Sequence, residues 1–242
     1  IYNQMKNFIK KRLRSILYFI ELFFRIRVEN KSPIDFYYEN LSLDCYKFFE
    51  KDMRKSANFI QNDEIRKYCI SKAIKNIDNK DNLFFEFGVY TGDSINLFAK
   101  LLSHHGLEIY GFDSFEGLEE DWVSNEFHPV GTFTLNKKIP KVLKNVKIVK
   151  GKVQNTLENF LKEKANKKII FTHMDMDTYQ ATKFALNKIK PFLIKGSIIL
   201  FDNFYNFPNW QQHEYKAFTE ELSEKEFKYI AFSESPVAIE IL

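Results

Sequence analysis

LFFEFGVYTGDS, residues 83–94, is the stretch that decides the fold of this chain. Three apolar residues, a carboxylate and two glycines four positions apart lead into a segment whose apolar residues, from Ile95 onward, recur at helical spacing. This pattern predicts a buried strand, a tight turn and the N-terminus of a helix. In an open α/β sheet such a turn faces a ligand crevice, with Glu86 at its mouth, although an ordinary strand–turn–helix corner has the same pattern.

The spacing of the glycines indicates which class of ligand this turn could bind. The motif reads Glu-x-Gly-x-x-x-Gly from Glu86 to Gly92, which differs from the Gly-x-Gly-x-x-Gly fingerprint of nicotinamide and flavin binders. A pyrophosphate at this turn would meet a carboxylate where it needs bare N–H groups. The stretch therefore favours a zwitterionic or cationic ligand.

Apolar runs alternate with helical patterns from residue 82 to the end of the chain. The predicted strands cover residues 82–87, 108–113, 146–150, 168–174, 196–201, 227–233 and 237–242, and the predicted helices lie near 94–105, 154–164, 178–190 and 210–222. Such alternation indicates a parallel sheet of βα units, and no helix separates the last two strands. We therefore predict an α/β fold with a Rossmann-like, seven-stranded, mostly parallel sheet and an antiparallel C-terminal hairpin.

The composition is that of a globular domain with a helical arm. The 242 residues are 45% apolar and 28% charged, which is enough to build a core. We predict three parts: a basic amphipathic arm at 1–31, a helical cap at 32–80, and the main domain at 81–242. Cys45 and Cys69 have no metal-ligand spacing, which favours a cytoplasmic protein, and a disulfide between them stays open.

The basic charge is concentrated in the arm. Residues 1–31 contain eight Lys or Arg and two Glu, a net charge of +6, whereas the whole chain carries +4. The apolar residues of the arm predict an amphipathic helix, but its most apolar part, residues 16–24, is too short to cross a bilayer and is unlike a signal peptide.

Three partners stay open for the arm: the domain or a second subunit, an anionic membrane surface, and nucleic acid. The chain has no recognised nucleic-acid motif, so we predict no nucleic-acid partner. We therefore expect the arm to pack on the domain or on a second subunit, or to make a peripheral contact with the inner membrane face.

Acidic residues follow three of the predicted strands. Asp113 ends the second strand, where a carboxylate can accept both hydroxyls of a ribose, with Phe115 beside an adjacent ring; a turn-forming Asp explains this position as well. Asp175 follows the strand at 168–174, and Asp202 and Asn203 follow the strand at 196–201.

If those last two strands are neighbours, the side chains of Asp175, Asp202 and Asn203 converge as oxygen ligands. Such a set suits Mg²⁺, Mn²⁺ or Ca²⁺ and does not suit zinc. Asp177 lies beside the set, and taken alone it is explained as the N-cap of the helix that begins near Thr178.

Taken together, these motifs resemble class I S-adenosylmethionine-dependent methyltransferases, and within them the macrocin O-methyltransferase-like group of metal-dependent sugar O-methyltransferases. The resemblance covers about residues 82–242. It is carried by FEFGVYTGDS (85–94), YGFDSFEGL (110–118), VKGKVQNTL (149–157), HMDMDTYQATKFAL (173–186) and KGSIILFDNF (195–204).

The resemblance implies a role for individual residues. Those that would bind S-adenosylmethionine are Glu86, Gly88, Tyr90, Gly92, Ser94, Asp113, Ser114, Phe115, Gly151, Val153, Gln154 and Asp175. Asp175, Asp202 and Asn203 match the metal ligands of the family, with Mg²⁺ the expected ion. Asp177 matches its proposed general base, and His213 is our second candidate for that role. His173 is expected inside its strand.

One position departs from the resemblance. Sugar methyltransferases of the group usually have two adjacent Asp residues where this chain has Asp202-Asn203, and catechol-type methyltransferases have Asp-Asn. The expected function is methyl transfer to a sugar hydroxyl of a glycan, nucleotide sugar or glycosylated metabolite. A phenolic or other small acceptor and a non-catalytic scaffold are the alternatives, and the resemblance implies a homodimer.

Overall fold

The computed structural model describes residues 31–77 and 82–242, together with residues 13, 16–18 and 20, which are helical. The rest of the predicted arm at 1–31 lies outside the described residues, so its amphipathic helix, its membrane contact and its role in a dimer stay predictions. In the part of the chain that the structure describes, no helix combines the length and the apolar character that a membrane span requires.

The chain divides into two compact units, residues 1–44 and 45–242. Helix α1 (Pro33–Met53) begins in the first unit. Ser32 and Asp35 form a capping box at its N-terminus, because Ser32 Oγ accepts from the Asp35 N–H at 3.3 Å and Asp35 Oδ2 accepts from the Ser32 N–H at 2.7 Å. In the second unit, α1 residues Cys45 and Phe49 are buried.

The second unit is built on an eight-stranded sheet. Its strands are β1 (Ala57–Asn58), β2 (Asn82–Phe87), β3 (Ile109–Asp113), β6 (Val146–Lys150), β7 (Lys168–Met174), β8 (Leu193–Phe201), β9 (Phe227–Phe232) and β10 (Val237–Ile241). Their order across the sheet is β1-β9-β10-β8-β7-β2-β3-β6. The central strands pair in parallel, and β10 is antiparallel to both of its neighbours. A separate antiparallel pair consists of β4 (Trp122–Val123) and β5 (Phe127–His128).

Helices cover both faces of the sheet. They are α2 (Asn62–Lys75), α3 (Asp93–Ser103), α4 (Val153–Glu163), α5 (Tyr179–Ile189) and α6 (Glu214–Glu221), with short 3₁₀ turns at Lys190–Phe192 and Trp210–Gln212. Successive residues of β2 point to opposite faces. Phe84 belongs to the core beneath α2 and α3, whereas the ring of Phe85 lies 5.7 Å from that of Phe160 on α4.

The predicted α/β fold is confirmed, including the mostly parallel sheet and the antiparallel C-terminal hairpin. The sheet has eight strands instead of the predicted seven, because Ala57 and Asn58 pair in parallel with Ala231 and Phe232 at its edge. A two-residue strand has no periodicity that a sequence pattern can reveal. The last predicted helix, 210–222, is a 3₁₀ turn followed by the shorter α6.

The register of the sheet aligns the carboxyl ends of four neighbouring strands. Phe87, the last residue of β2, pairs with Met174 on β7 and with Phe112 on β3, and Met174 pairs with Phe201 on β8. The carboxyl ends of four parallel strands therefore meet at one edge, where loops collect functional groups in this architecture.

Candidate functional site

A cavity of about 290 Å³ lies at these carboxyl ends. Its walls come from the loops after β2, β3, β6, β7 and β8. The lining residues are Gly88, Tyr90, Phe112, Asp113, Ser114, Gly117, Leu118, Glu119, Trp122, Phe133, Gly151, Lys152, Val153, Asp175, Met176, Asp177, Thr178, Ala181 and Asn203. A cavity of this size at this position is the expected place for a small-molecule ligand.

Gly88 is required by the close approach of two loops. Its φ is +85°, and a Cβ atom added there would lie 1.8 Å from the backbone oxygen of Asp175. Only glycine combines the left-handed backbone with this contact. The turn after β2 and the turn after β7 are therefore locked together beneath the cavity.

Asp113, at the end of β3, holds the turn after β2 by hydrogen bonds. Its Oδ2 accepts hydrogen bonds from the backbone N–H groups of Val89 and Tyr90, each at 2.8 Å. Its Oδ1 accepts from the N–H of Phe115 at 2.7 Å. A carboxylate offers about four acceptor positions, so these three bonds leave capacity for a ligand hydroxyl.

Aromatic rings form one wall of the cavity. The Trp122 indole stacks on His128 with a centroid separation of 4.9 Å, and Phe133 lies 5.5 Å from Tyr90. Trp122 is buried, and its Nε1 has no hydrogen-bond partner in the part of the chain that the structure describes. The wall thus offers flat apolar faces to a ligand.

A buried chain of charges runs behind the cavity. Arg66 Nη2 donates to Asp202 Oδ1 at 2.7 Å, and His173 Nε2 lies 3.3 Å from the same oxygen. His173 Nδ1 lies 3.2 Å from Glu86 Oε2, and Ser94 Oγ donates to Glu86 Oε1 at 3.1 Å. Helix α2 is tied by this chain to strands β2, β7 and β8.

These contacts set the charge states. Burial by itself would lower the pKa of His173, but hydrogen bonds and negative charge from Asp202 and Glu86 raise it to about 10. Burial by itself would raise the pKa of Asp202, but His173 and Arg66 hold it at about 2. Burial raises the pKa of Glu86 against the hydrogen bond from His173. His173 is therefore a cation at neutral pH, and Asp202 is an anion.

Asp177 and Asn203 form the innermost pair at the cavity. Asn203 Nδ2 donates to Asp177 Oδ1 at 2.6 Å. Burial and the charge of Asp202 raise the pKa of Asp177 to about 7, against the hydrogen bond from Asn203. Burial and Asp202 also raise the pKa of Asp175 well above its usual range. Burial thus shifts both carboxyls beside the cavity toward the neutral form.

Glu214, the first residue of α6, is a member of this group that the sequence analysis missed. Its side chain is fully buried, and its Oε2 accepts a hydrogen bond from the backbone N of Asn203 at 3.1 Å. Burial raises the pKa of Glu214 well above its usual range, and the nearby charge of Asp177 adds to the effect. An acid in the first turn of a helix ordinarily indicates only a favourable dipole contact at the surface.

The structure brings many of the predicted site residues to the cavity. Those that line it are Gly88, Tyr90, Asp113, Ser114, Gly151, Val153, Asp175, Asp177 and Asn203. The predicted site residues that do not line it are Glu86, Gly92, Ser94, Phe115, Gln154, Asp202 and His213. Among the latter, Phe115 is buried and Gln154 donates to Glu119 at 3.2 Å. The cofactor roles of all of them stay predictions.

Two expectations about placement were wrong. Glu86 does not sit at the mouth of the crevice, because its side chain is fully buried against His173 and Ser94. Asp177 is not the N-cap of α5, since Thr178 holds that position. The burial of His173 inside its strand is confirmed, and neither Cys45 nor Cys69 is in a disulfide.

His213 lies at the N-terminus of α6, and its ring stacks at 6.2 Å on Phe207. Burial lowers the pKa of His213, against a hydrogen bond to the backbone of Val123. It does not line the cavity. The geometry therefore favours Asp177 over His213 as the group that meets a ligand.

Three side chains of this buried network could hold a metal ion. His173, Asp175 and Asp202 present ligand atoms within 4.8 Å of one another. Both nitrogens of His173 already face carboxylates, which leaves the carboxylates of Asp175 and Asp202 as the donors of this group. Carboxylate and amide oxygens are the ligands of Mg²⁺, Mn²⁺ and Ca²⁺.

Residues 85–204 match the model of a family described as a methyltransferase domain. The crystal structure of CalS11, a calicheamicin methyltransferase, aligns with a TM-score of 0.59 and 19% identity over 87% of this chain and 94% of that one. An apo structure of CalS11, described as a TDP-rhamnose 3'-O-methyltransferase of calicheamicin biosynthesis, aligns at 0.55 and 19% over 87% and 96%.

The O-methyltransferase NovP aligns with a TM-score of 0.54 and 18% identity over 74% of this chain and 78% of that one. No curated protein sequence matches the chain. At these identities the structural likeness concerns the fold, which is that of a Rossmann-like methyltransferase.

Proposed function

We propose, from the premise that residues 85–204 match a methyltransferase domain, that the chain transfers a methyl group from S-adenosylmethionine to a sugar hydroxyl with the help of a divalent metal. One observation carries the proposal. A single cavity is lined by Asp113, at the strand end where a carboxylate can hold a ribose, and by the Asp175, Asp177 and Asn203 group.

The cofactor would occupy the side of the cavity formed by the turn after β2. S-adenosylmethionine supplies a methyl group that its sulfonium already activates for displacement. Asp113 is fixed by three backbone N–H bonds, so its one remaining acceptor position, on Oδ1, is directed before any ligand arrives. Gly88 keeps this side of the cavity open, because a side chain there would collide with Asp175. Such preorganisation lowers the entropic cost of alignment.

Asp177 is the proposed proton acceptor. It lines the cavity, and its pKa of about 7 lets it take a proton near neutral pH. Asn203 orients the carboxyl through its 2.6 Å hydrogen bond to Oδ1. Asp177 also has a left-handed backbone, with φ at +62°, a conformation that is uncommon for a residue other than glycine and is often found at functional positions.

The metal would be held by Asp175, Asn203 and the neighbouring carboxylate of Asp202. A bound divalent ion lowers the pKa of a hydroxyl and orients two adjacent substrate oxygens. Arg66 and His173 occupy Oδ1 of Asp202, so the orientation of that carboxylate is fixed by the protein itself.

The aromatic wall supports a ring-shaped acceptor. Trp122, Phe133 and Tyr90 give the cavity apolar faces, and sugars and phenols both bind to such faces. Because CalS11 is described as acting on TDP-rhamnose, we place a sugar acceptor first. Asn203 occupies the position of the second aspartate of the resembled sugar methyltransferases, and catechol-type methyltransferases have asparagine there. A phenolic acceptor is therefore the alternative.

Calorimetric titration of S-adenosylhomocysteine into the purified protein, with and without Mg²⁺, tests the cofactor assignment. We expect binding by the wild type, loss of binding in Asp113→Ala, and retained binding with loss of the Mg²⁺ effect in Asp175→Ala. Circular dichroism of each variant controls for folding. No binding by the folded wild type would remove the cofactor assignment and favour a scaffold.

The acceptor class is tested separately. The release of S-adenosylhomocysteine is measured with nucleotide sugars, with free sugars that carry adjacent hydroxyls, and with a catechol. Turnover of a sugar with none of the catechol supports the proposal. Turnover of the catechol alone supports the phenolic alternative.

A further inference from the structure

Glu214 has one carboxylate oxygen that the fold leaves unused. The side chain is fully buried at the start of α6. Its Oε2 accepts the hydrogen bond from the Asn203 N–H at 3.1 Å. Its Oε1 is buried and has no hydrogen-bond partner among the residues that the structure describes. A buried carboxylate oxygen without a partner is costly to keep in a fold.

The surroundings of Glu214 are acidic. The charges of Asp177, Asp175 and Asp202 all act on its carboxyl. Asn203 links it to the cavity, because the backbone N–H of Asn203 binds Glu214 while its side chain binds Asp177. The carboxyl of Glu214 is therefore connected to that of Asp177 through a single residue, Asn203.

The cationic side chains nearby are already engaged. Arg66 donates to Asp202, and His173 lies between Asp202 and Glu86. With Glu86 counted, five carboxylates share this region with two cations. The carboxyl groups thus outnumber the cationic side chains, and Oε1 of Glu214 has no cationic partner among the described residues.

We propose that Glu214 is a further member of the divalent-cation site, in which Oε1 faces the ion directly or across one water while Oε2 holds Asn203 in place. The inference rests on the metal dependence in the proposed function. It assigns to α6 a part in the site that the strand-end motifs do not contain.

The experiment compares Mn²⁺ binding, by calorimetry and by the electron paramagnetic resonance signal of free Mn²⁺, in the wild type and in Glu214→Gln. The glutamine keeps an acceptor for the Asn203 N–H and loses the charge. We expect Mn²⁺ to bind at least about tenfold more weakly to the variant. Affinity for S-adenosylhomocysteine without metal is expected to stay unchanged. Glu224→Gln, an exposed acid just after α6, is the matched control and is expected to bind Mn²⁺ as the wild type does.

Thermal unfolding separates a metal role from a structural one. Without metal, Glu214→Gln is expected to unfold at the same temperature as the wild type or above it, because the substitution relieves repulsion between carboxylates. Added Mn²⁺ should stabilise the wild type and leave the variant almost unchanged. Equal Mn²⁺ affinity in the two proteins would overturn the inference.

If Glu214→Gln does not fold, Glu214→Asp replaces it, because the charge is kept while the carboxylate is withdrawn by one methylene. Weaker Mn²⁺ binding by the folded Asp variant supports the inference, and wild-type binding overturns it. A wild type that binds S-adenosylhomocysteine but no Mn²⁺ removes both the metal dependence and this inference, and leaves the methyltransferase assignment in place.

Discussion

Arg66 shows how one side chain on a helix determines the geometry of a site built on strand ends. Its guanidinium donates to Asp202 and reaches toward Asp63, and its side chain is largely buried. We expect Arg66→Ala to destabilise the protein by about 3 kcal/mol, because the substitution leaves the buried carboxylate of Asp202 without one of its two cationic partners.

Urea unfolding followed by circular dichroism measures that loss. Arg54→Ala is the control, since Arg54 forms an exposed ion pair with Glu50 on α1 and its removal is expected to leave the midpoint unchanged. Equal midpoints for Arg66→Ala and the wild type would show that the network contributes nothing to stability.

Gly88 supports a second prediction at this scale. Gly88→Ala places a Cβ 1.8 Å from the Asp175 backbone oxygen, so the loops must separate. We expect loss of S-adenosylhomocysteine binding and destabilisation by more than about 2 kcal/mol. Gly106 also has a left-handed backbone conformation, but no atom lies within 4 Å of a Cβ added there. Gly106→Ala is therefore expected to cost only the strain of the left-handed backbone, about 1–2 kcal/mol. A Gly88→Ala protein that binds like the Gly106→Ala protein would contradict the contact.

The sequence predicts the site residues at strand ends better than it predicts the buried helical residues that contact them. Asp113, Asp175 and Asn203 follow apolar strands, and a strand that ends at the sheet edge delivers its next residue to the cavity. Arg66 and Glu214 lie in polar helical segments, where a charged residue usually faces water. Their burial depends on what packs above them, which the periodicity of a single segment does not contain.

At the scale of elements, α2 joins the cap to the sheet. Its residues Ile65, Cys69, Ile70 and Ala73 are fully buried in the core beside β2 and β7. The helix therefore belongs to the same cooperative unit as the sheet, and no separate unfolding transition is expected for it.

The prediction for α2 concerns Ile70. We expect Ile70→Ala to cost about 3 kcal/mol, because a cavity replaces buried methyl groups. Ile60→Ala, at a side chain that is 90% exposed, is the control and should change stability by less than about 0.5 kcal/mol. Unfolding curves from circular dichroism and tryptophan fluorescence should coincide in both variants. Curves that separate for Ile70→Ala would show that α2 unfolds on its own.

The strands of the central sheet were predictable because a strand covered on both faces is a continuous apolar run. The observed β2, β6 and β7 have the predicted bounds. The short β1, β4 and β5 were not predicted. Each has two residues, which is too short for an alternating pattern to be recognised. The pairing of β1 with β9 also joins segments that lie far apart in the chain.

At the scale of the whole molecule, cofactor binding should be visible as stabilisation. A ligand at one hundred times its Kd adds about 2.7 kcal/mol to the folded state. For a chain of this length we expect a rise in Tm of about 5–10 °C with S-adenosylhomocysteine. Differential scanning calorimetry measures the shift, and Asp113→Ala should show none. A shift of the same size in Asp113→Ala would place the ligand elsewhere.

The antiparallel pairing of β10 with β8 limits how far the protein can be shortened. The segment that matches the methyltransferase domain, 85–204, starts inside β2 and stops three residues after β8. A fragment cut to those limits loses the β10 residues that pair with Ile198 through Phe201. The backbone N–H and C=O groups of β8 that pair with β10 would then be exposed at an edge of the sheet, where strands of other chains can pair with them. Such a fragment should aggregate during expression, so a shortened protein has to retain the chain through β10.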